Sequence, residues 1–315
     1  MARAFIFPGQ GSQSVGMGKT LAETYPAARA VFDEVDAALG EKLSDIMWSG
    51  PADTLMLTEN AQPALMAVSV AVMRVLEAEH GLKLAQHVKF VAGHSLGEYS
   101  ALAAAGTFSI GDAARLLKLR GQAMQKAVPV GVGAMAALLG VSINAARTIA
   151  MEAAQGDVCD VANDNDPGQV VLSGHKVAID RVAEVGKPHG LRRAMLLPVS
   201  APFHCRLMQP AADAMADALA HVSMRAPAVP LICNVLAAAI TDPGEIRKRL
   251  VEQVTGTVRW RECMLAMAGG GITEFFEIGS GKVLSGLAGR IDKSFKCTPV
   301  GTPDDIKAVA AELTR

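Results

Sequence analysis

The sequence contains no Cys-x-x-Cys pair, no His-Glu-x-x-His and no acidic cluster of metal-binding spacing. Its five cysteines, Cys159, Cys205, Cys233, Cys263 and Cys297, are odd in number and scattered over half of the 315 residues. That pattern argues against a disulfide framework and against a zinc site, and it fits a reducing compartment. Charge of one sign is also missing. Thirty Lys and Arg stand against 31 Asp and Glu, a formal net charge of −1. A general nucleic-acid binder needs a basic excess to neutralise phosphates, so no nucleic acid partner is expected.

Long uninterrupted apolar runs are scarce. The N-terminal run ending at Phe7 is too short for the core of a signal peptide. Residues Ala127 to Ala146 carry no charge, but Pro129, Gly131, Gly133, Gly140, Ser142 and Asn144 break them up. A spanning helix wants about 20 mostly apolar residues without such punctuation. The stretch reads as a linker followed by a strand, and the expectation is a soluble, cytoplasmic protein with no membrane partner. Two glycine motifs are incomplete. Gly279-Ser-Gly-Lys282 has Phe276 where a phosphate loop needs its first glycine, and Val283 where it needs Ser or Thr. Gly9-Gln-Gly11 has Ser14 in place of the third glycine of a dinucleotide loop. Repeats and low-complexity tails are absent.

What is present is apolar material for a large core: half of the residues are hydrophobic, and the length allows about two domains. A short buried strand, Ala4 to Phe7, runs into the loop Pro8-Gly-Gln-Gly-Ser-Gln13. Pro63 and Gly81 bracket a helix over Ala64 to Glu79. A strand over Val88 to Ala92 leads through Gly93-His-Ser-Leu-Gly97 into a helix over Glu98 to Ala105, and a further helix covers Gly111 to Lys126. The middle has another rhythm. Strands over 134–139, 158–162, 169–172 and 193–199, with helices over 144–154 and 177–185, follow the order βαββαβ, which is the split βαβ pattern of a ferredoxin-like unit. Residues 163–168 read as the turn between the second and third of these strands. The expected organisation is a large α/β domain formed by residues 1–127 and 200–315, with a ferredoxin-like α+β subdomain inserted at 128–199. Leu231 to Asn234 and Glu274 to Ile278 read as later strands of the large domain. Thr302-Pro-Asp-Asp305 caps a last helix.

Strand, Gly-x-Ser-x-Gly, helix is the setting of a nucleophile elbow. The serine sits on a tight turn, the glycines let neighbouring backbone come close, and the following helix directs N–H groups and its positive end at the site. Ser95 is therefore favoured as a nucleophile, with the N–H of Leu96 as an oxyanion donor. A serine hydroxyl needs a base. Of seven histidines, His80, His87, His189 and His221 lie at helix ends or in polar surroundings. His94 adjoins the serine and should point away from it, and His175 is a weaker candidate at a strand end. His204 sits in the uncharged segment Pro198-Val-Ser-Ala-Pro-Phe-His204, where it is either the base or a structural core histidine.

The helix from Gly111 holds an anomaly. At 100° per residue Ala113, Leu116, Leu117, Arg120 and Met124 share one side, while Arg115, Lys118 and Gln122 fall on the other. An inward guanidinium needs an acceptor. It is either an internal ion pair or a fork for a substrate carboxylate. With an acyl-serine nearby, the second option points to a dicarboxylic acyl group, malonyl rather than acetyl.

Taken in order, Phe7-Pro-Gly-Gln-Gly-Ser-Gln13, Gly93-His-Ser-Leu-Gly-Glu-Tyr99, Leu119-Arg-Gly121, Val161-Ala-Asn-Asp-Asn165 with Gln169-Val-Val-Leu-Ser-Gly174, and Val199-Ser-Ala-Pro-Phe-His204 closely resemble the malonyl-CoA:acyl carrier protein transacylases of fatty acid synthesis. The similarity runs from Ala4 to about Leu287. It implies an α/β-hydrolase-like large domain with a parallel sheet, and a ping-pong transfer of malonyl from coenzyme A to the phosphopantetheine thiol of acyl carrier protein. It assigns Ser95 as nucleophile, His204 as base and Arg120 as partner of the malonyl carboxylate. The oxyanion donors would be the N–H groups of Gln10 and Leu96, and the main-chain carbonyl of Gln253 would orient His204. Phe203 departs from the small residue the family often has there. A monomer with no cofactor and no metal, using the coenzyme A thioester as substrate, is expected. The competing reading is a serine hydrolase or thioesterase, which needs an acid for the histidine: Asp160, Asp164, Asp166 or Asp180. The same transfer could also serve a polyketide synthase or a malonate decarboxylase. Lys187, Arg192, Arg193, Lys282 and Arg290 are candidates for a basic surface facing an acidic carrier, or ordinary solvated charges.

Overall fold

The computed structural model describes residues 3–199 and 201–313. Ser200, inside one of the quoted motifs, lies outside the described residues. Among the described residues ten strands form two sheets: β1 Arg3–Phe7, β2 Phe90–Gly93, β3 Gly133–Leu139, β4 Cys159–Asp166, β5 Gln169–His175, β6 Arg193–Leu196, β7 Leu231–Cys233, β8 Ala238–Ile240, β9 Glu274–Ile278 and β10 Lys296–Val300.

The larger sheet has the order β10-β9-β1-β2-β7-β8 and is parallel apart from the β7–β8 pair. Its central strands are buried on both faces, which explains their continuous apolar runs. Alternate side chains of β1 go opposite ways. Phe5 and Phe7 join a core with the helix Thr58–His80, whereas Ala4 and Ile6 join one with Trp260 and Phe275. The helix Thr58–His80 is long and apolar enough to cross a membrane by length and composition, but most of it is buried inside this core.

That helix begins earlier than the sequence reading placed it. Pro63 lies inside it rather than at its start. A proline in the second turn removes one N–H that would have reached the Glu59 carbonyl, and burial of Ala64, Leu65, Val68 and their neighbours outweighs that loss. The helix Ile110–Lys126, capped by Ser109 accepting from the Asp112 N–H, packs directly on it. Gly121 makes that packing close: a Cβ there would lie 2.5 Å from the Glu59 Cα.

The second sheet, order β4-β5-β3-β6, is antiparallel throughout. Helices Ile143–Ala154 and Lys176–Val185 bury Ile149, Ala153, Ile179 and Val182 against Ala136, Leu138, Val170 and Leu172 on one face. Met135, Ala137 and Val171 on the other face join the core of the larger sheet. The stretch expected as a turn is mostly strand, because β4 continues to Asp166 with two register shifts. Its polar residues are partnered across the boundary between the sheets. Asn163 bridges Val258, the Asp164 N–H donates to the Val258 carbonyl at 2.9 Å, and Asp164 pairs with Arg261. In the other direction, β6 stops at Leu196, short of the expected Val199.

Candidate active site

The loops after β1 and β2, neighbouring strands of the larger sheet, open at one edge, the usual place for a site in such a sheet. Ser95 follows β2 with φ 54°, in the left-handed region. The flanking glycines are required by space. A Cβ on Gly93 would lie 1.9 Å from the Gly97 carbonyl carbon, and one on Gly97 would lie 2.3 Å from the Phe7 oxygen. Asn234, fully buried beyond β7, braces the strained turn: its Oδ1 accepts from the Ser95 N–H at 2.9 Å and its Nδ2 donates to the Gly93 carbonyl at 2.8 Å.

His204 and Ser95 are 109 residues apart in sequence, yet Ser95 Oγ lies 2.7 Å from His204 Nε2. His204 Nδ1 lies 2.8 Å from the Gln253 main-chain oxygen. A carbonyl oxygen only accepts, so Nδ1 carries the proton and Nε2 is left to accept from the serine. Burial and the nearby Arg120 charge push the imidazole down to about 3, so it is neutral near physiological pH.

Arg120 is 1% exposed. Its Nη1 donates to Gln62 Oε1 at 2.7 Å, and its Nη2 donates to Gln253 Oε1 at 2.9 Å and to Ser95 Oγ at 3.1 Å. Nε is buried without a partner. Among the described residues no carboxylate lies within ion-pair distance of it, so of the two options open in the sequence the internal ion pair is absent. Glu98 is the nearest acid in the network. It accepts from the Asn234 N–H at 2.5 Å and from Gln253 Nε2 at 2.5 Å. Burial pushes its carboxyl up to about 8, against the pull of those two donors and of Arg120.

A cleft of about 290 Å³ takes its walls from both sheets: Gln10, Ser95, Leu96, Arg120 and His204 on one side, Met135, Leu197 and Val199 on the other. Gln10 is held by its side chain to Thr58 Oγ1 at 3.2 Å. Among the described residues neither the Gln10 nor the Leu96 N–H donates to another protein group. Gln253 is fully buried behind this cleft. His94 points away from the serine, its Nε2 being 2.9 Å from Asn165 Oδ1.

The acids required by a hydrolase triad are engaged elsewhere: Asp160 with Arg206, Asp164 with Arg261, Asp166 with Arg290 and Asp180 with Lys176. The Arg290 pair also occupies one of the five candidate surface cations, and Lys282 lines a separate cavity beside Ser14 and Asp305. Sequence reasoning did not single out Gln62, Glu98 or Asn234 for the site. Their signal was polarity in apolar settings: Gln62 opens the run Pro63 to Val72, and Asn234 ends the strand Leu231-Ile-Cys.

An elbow serine hydrogen-bonded to a neutral imidazole at the edge of a parallel α/β sheet defines a protein of serine acyl chemistry. Consistently, the family model described as acyl transferase domain matches residues 4–285. The chain is 44% identical over 310 residues to the malonyl CoA-acyl carrier protein transacylase of Escherichia coli K12, covering 98% of this chain and 99% of that one. It superposes on the acyl-carrier-protein-S-malonyltransferase of Bartonella henselae with a TM-score of 0.97 and 57% identity, over 100% of both chains. A malonyl-transacylase solved in complex with its type II PKS acyl-carrier protein matches with a TM-score of 0.94 and 40% identity over 99% of each chain. This chain belongs to the malonyl-CoA:acyl carrier protein transacylase family.

Proposed function

We propose that this protein moves a malonyl group from coenzyme A to the phosphopantetheine thiol of acyl carrier protein through a malonyl-Ser95 intermediate, in fatty acid biosynthesis. His204 Nε2 takes the Ser95 proton while Oγ attacks the thioester carbonyl. The oxyanion rests on the N–H groups of Gln10 and Leu96; losing one such donor typically costs about 10²–10³ in rate. Collapse expels the coenzyme A thiolate, which takes the proton back from His204. The carrier thiol then gives its proton to His204 and attacks the ester, and Ser95 leaves with that proton. Every proton is accounted for with the thioester as substrate and no further cofactor.

The observation that carries this reading is the setting of Arg120. Its Nη2 donates to Ser95 Oγ, and among the described residues its Nε has no partner and no acid pairs with it. Once the oxygen is acylated it is a poorer acceptor, and that N–H turns to a carboxylate on the acyl group. A buried fork of this kind selects a dicarboxylic acyl chain over a neutral one. The main-chain oxygen behind His204 favours transfer over a hydrolase triad.

We further propose residues 128–199 as a ferredoxin-like subdomain set into a large domain of 1–127 and 200–315. The proposed setting is a cytoplasmic monomer with acyl carrier protein as its macromolecular partner. The deciding experiment mixes enzyme, malonyl-CoA and carrier and compares malonyl on the carrier thiol with free malonate. Malonyl-carrier as the dominant product is expected; free malonate as the dominant product would establish the thioesterase reading instead.

A further inference from the structure

The polar groups behind the elbow converge on one side chain outside the cleft. Gln253 is fully buried. Its Oε1 accepts from Arg120 Nη2 at 2.9 Å, while its Nε2 lies 2.5 Å from Glu98 Oε2 and 3.0 Å from the Ser95 main-chain oxygen. Glu98 is fully buried as well, and its Oε1 accepts from the Asn234 N–H. A guanidinium only donates, so the amide between Arg120 and Glu98 has one acceptable orientation, with oxygen toward Arg120 and nitrogen toward Glu98. Arg120 and Glu98 are thereby joined through an amide instead of touching, and the guanidinium Nε stays without a protein partner.

Resting on the malonyl-transfer reading above, we propose that Glu98 is a positioning residue for acyl-group selectivity: by fixing the Gln253 amide it aims Arg120 at the acyl carboxylate without occupying it. Each Glu98 oxygen accepts from a donor at 2.5 Å, the Asn234 N–H on Oε1 and Gln253 Nε2 on Oε2, an arrangement that holds the group as a carboxylate against the upward push of burial. A glutamine at 98 has one acceptor oxygen. The Asn234 N–H is fixed at the end of β7, whereas the Gln253 amide turns about a single bond. The new amide therefore keeps its oxygen on Asn234 and presents NH₂ to Gln253 Nε2, whose orientation the Ser95 main-chain oxygen at 3.0 Å and Asn234 Oδ1 at 3.3 Å also hold, so donor faces donor and the Gln253 amide is pushed off position 98, carrying Arg120 with it.

The test measures single-turnover loading of Ser95 from malonyl-CoA and from acetyl-CoA, with wild type, Glu98→Gln, Arg120→Ala and the double variant. Glu98→Gln is expected to lower the malonyl-to-acetyl ratio by roughly tenfold or more, the scale of one hydrogen bond to a charged group. The double variant is expected to match Arg120→Ala within about twofold, because both changes act through one guanidinium. An unchanged ratio in Glu98→Gln, or additive losses in the double variant, overturns the inference while the malonyl-transfer reading stands. Should Glu98→Gln be too unstable to assay, removal of Arg120 is expected to restore folding, and a double variant that stays unfolded also overturns it. Wild type that takes no malonyl on Ser95 overturns both readings.

Discussion

His204 is held by Gln253 through a main-chain oxygen, 2.8 Å from Nδ1, where a serine hydrolase would place a carboxylate. The difference is electrostatic. A carbonyl fixes the tautomer without adding negative charge, so its hydrogen bond only partly offsets the burial and the Arg120 charge that push the imidazole down to about 3. The base is thus neutral well below the ordinary imidazole value of 6.5. The acid limb of Ser95 acylation, measured with an uncharged acyl-CoA, is expected well below that range, and Arg120→Ala should move it upward. An acid limb at the ordinary imidazole value would contradict this. Stability follows the same sign. The unfolded chain binds the extra proton between the two values, so the His204 contribution is complete above 6.5 and is lost as pH falls toward 3.

Arg120→Ala removes the fork and leaves a small apolar residue. Loading from malonyl-CoA should fall roughly 10–100-fold, as expected for lost hydrogen bonds to a charged group, while uncharged acyl-CoA thioesters gain relative to it. A panel of acyl-CoA substrates measures this. Equal losses for charged and uncharged acyl groups would remove Arg120 from substrate selection.

Asn234→Ala strips both braces from the elbow, leaving the Ser95 N–H and the Gly93 carbonyl buried without partners. Each orphaned group costs about 1–3 kcal/mol, so urea denaturation should register a clear loss. Ser95 loading is expected to fall with it, because the strained φ of Ser95 is no longer held.

Gly97→Ala puts a methyl 2.3 Å from the Phe7 oxygen, a backbone atom of a central strand that cannot swing away. Overpacking of this kind costs about 1–3 kcal/mol or more. Reduced stability together with slower acylation is the expected result.

The legible parts of this molecule are those where pattern and partner lie close in sequence. The elbow is one: a buried strand, two glycines and a helix occupy Phe90 to Ala104 without a break. The inward face of Arg120 is another, since helical geometry alone placed it among Leu116, Leu117 and Met124, and all four are buried. The helices between Lys19 and Met56 carried weaker signals, because none of the four has a side-chain cap. Residues 163–166 were misread for a physical reason: Asp and Asn favour turns, but here the Asp164 and Asp166 carboxylates are met by Arg261 and Arg290 and the Asp164 N–H by the Val258 carbonyl, all from a distant part of the chain. Glu98 looked like an ordinary first-turn acid, and its burial is decided by Asn234 and Gln253 arriving from distant parts of the chain.

The central claim is that the Ser95 oxygen becomes covalently malonylated, with His204 taking its proton. Brief incubation with malonyl-CoA, acid quenching, digestion and peptide mass spectrometry address it directly. A single malonyl group on the peptide containing Ser95, absent in Ser95→Ala and strongly reduced in His204→Ala, is the expected result. Coenzyme A release with no acylated peptide, or malonyl retained on the protein in Ser95→Ala, would contradict the account.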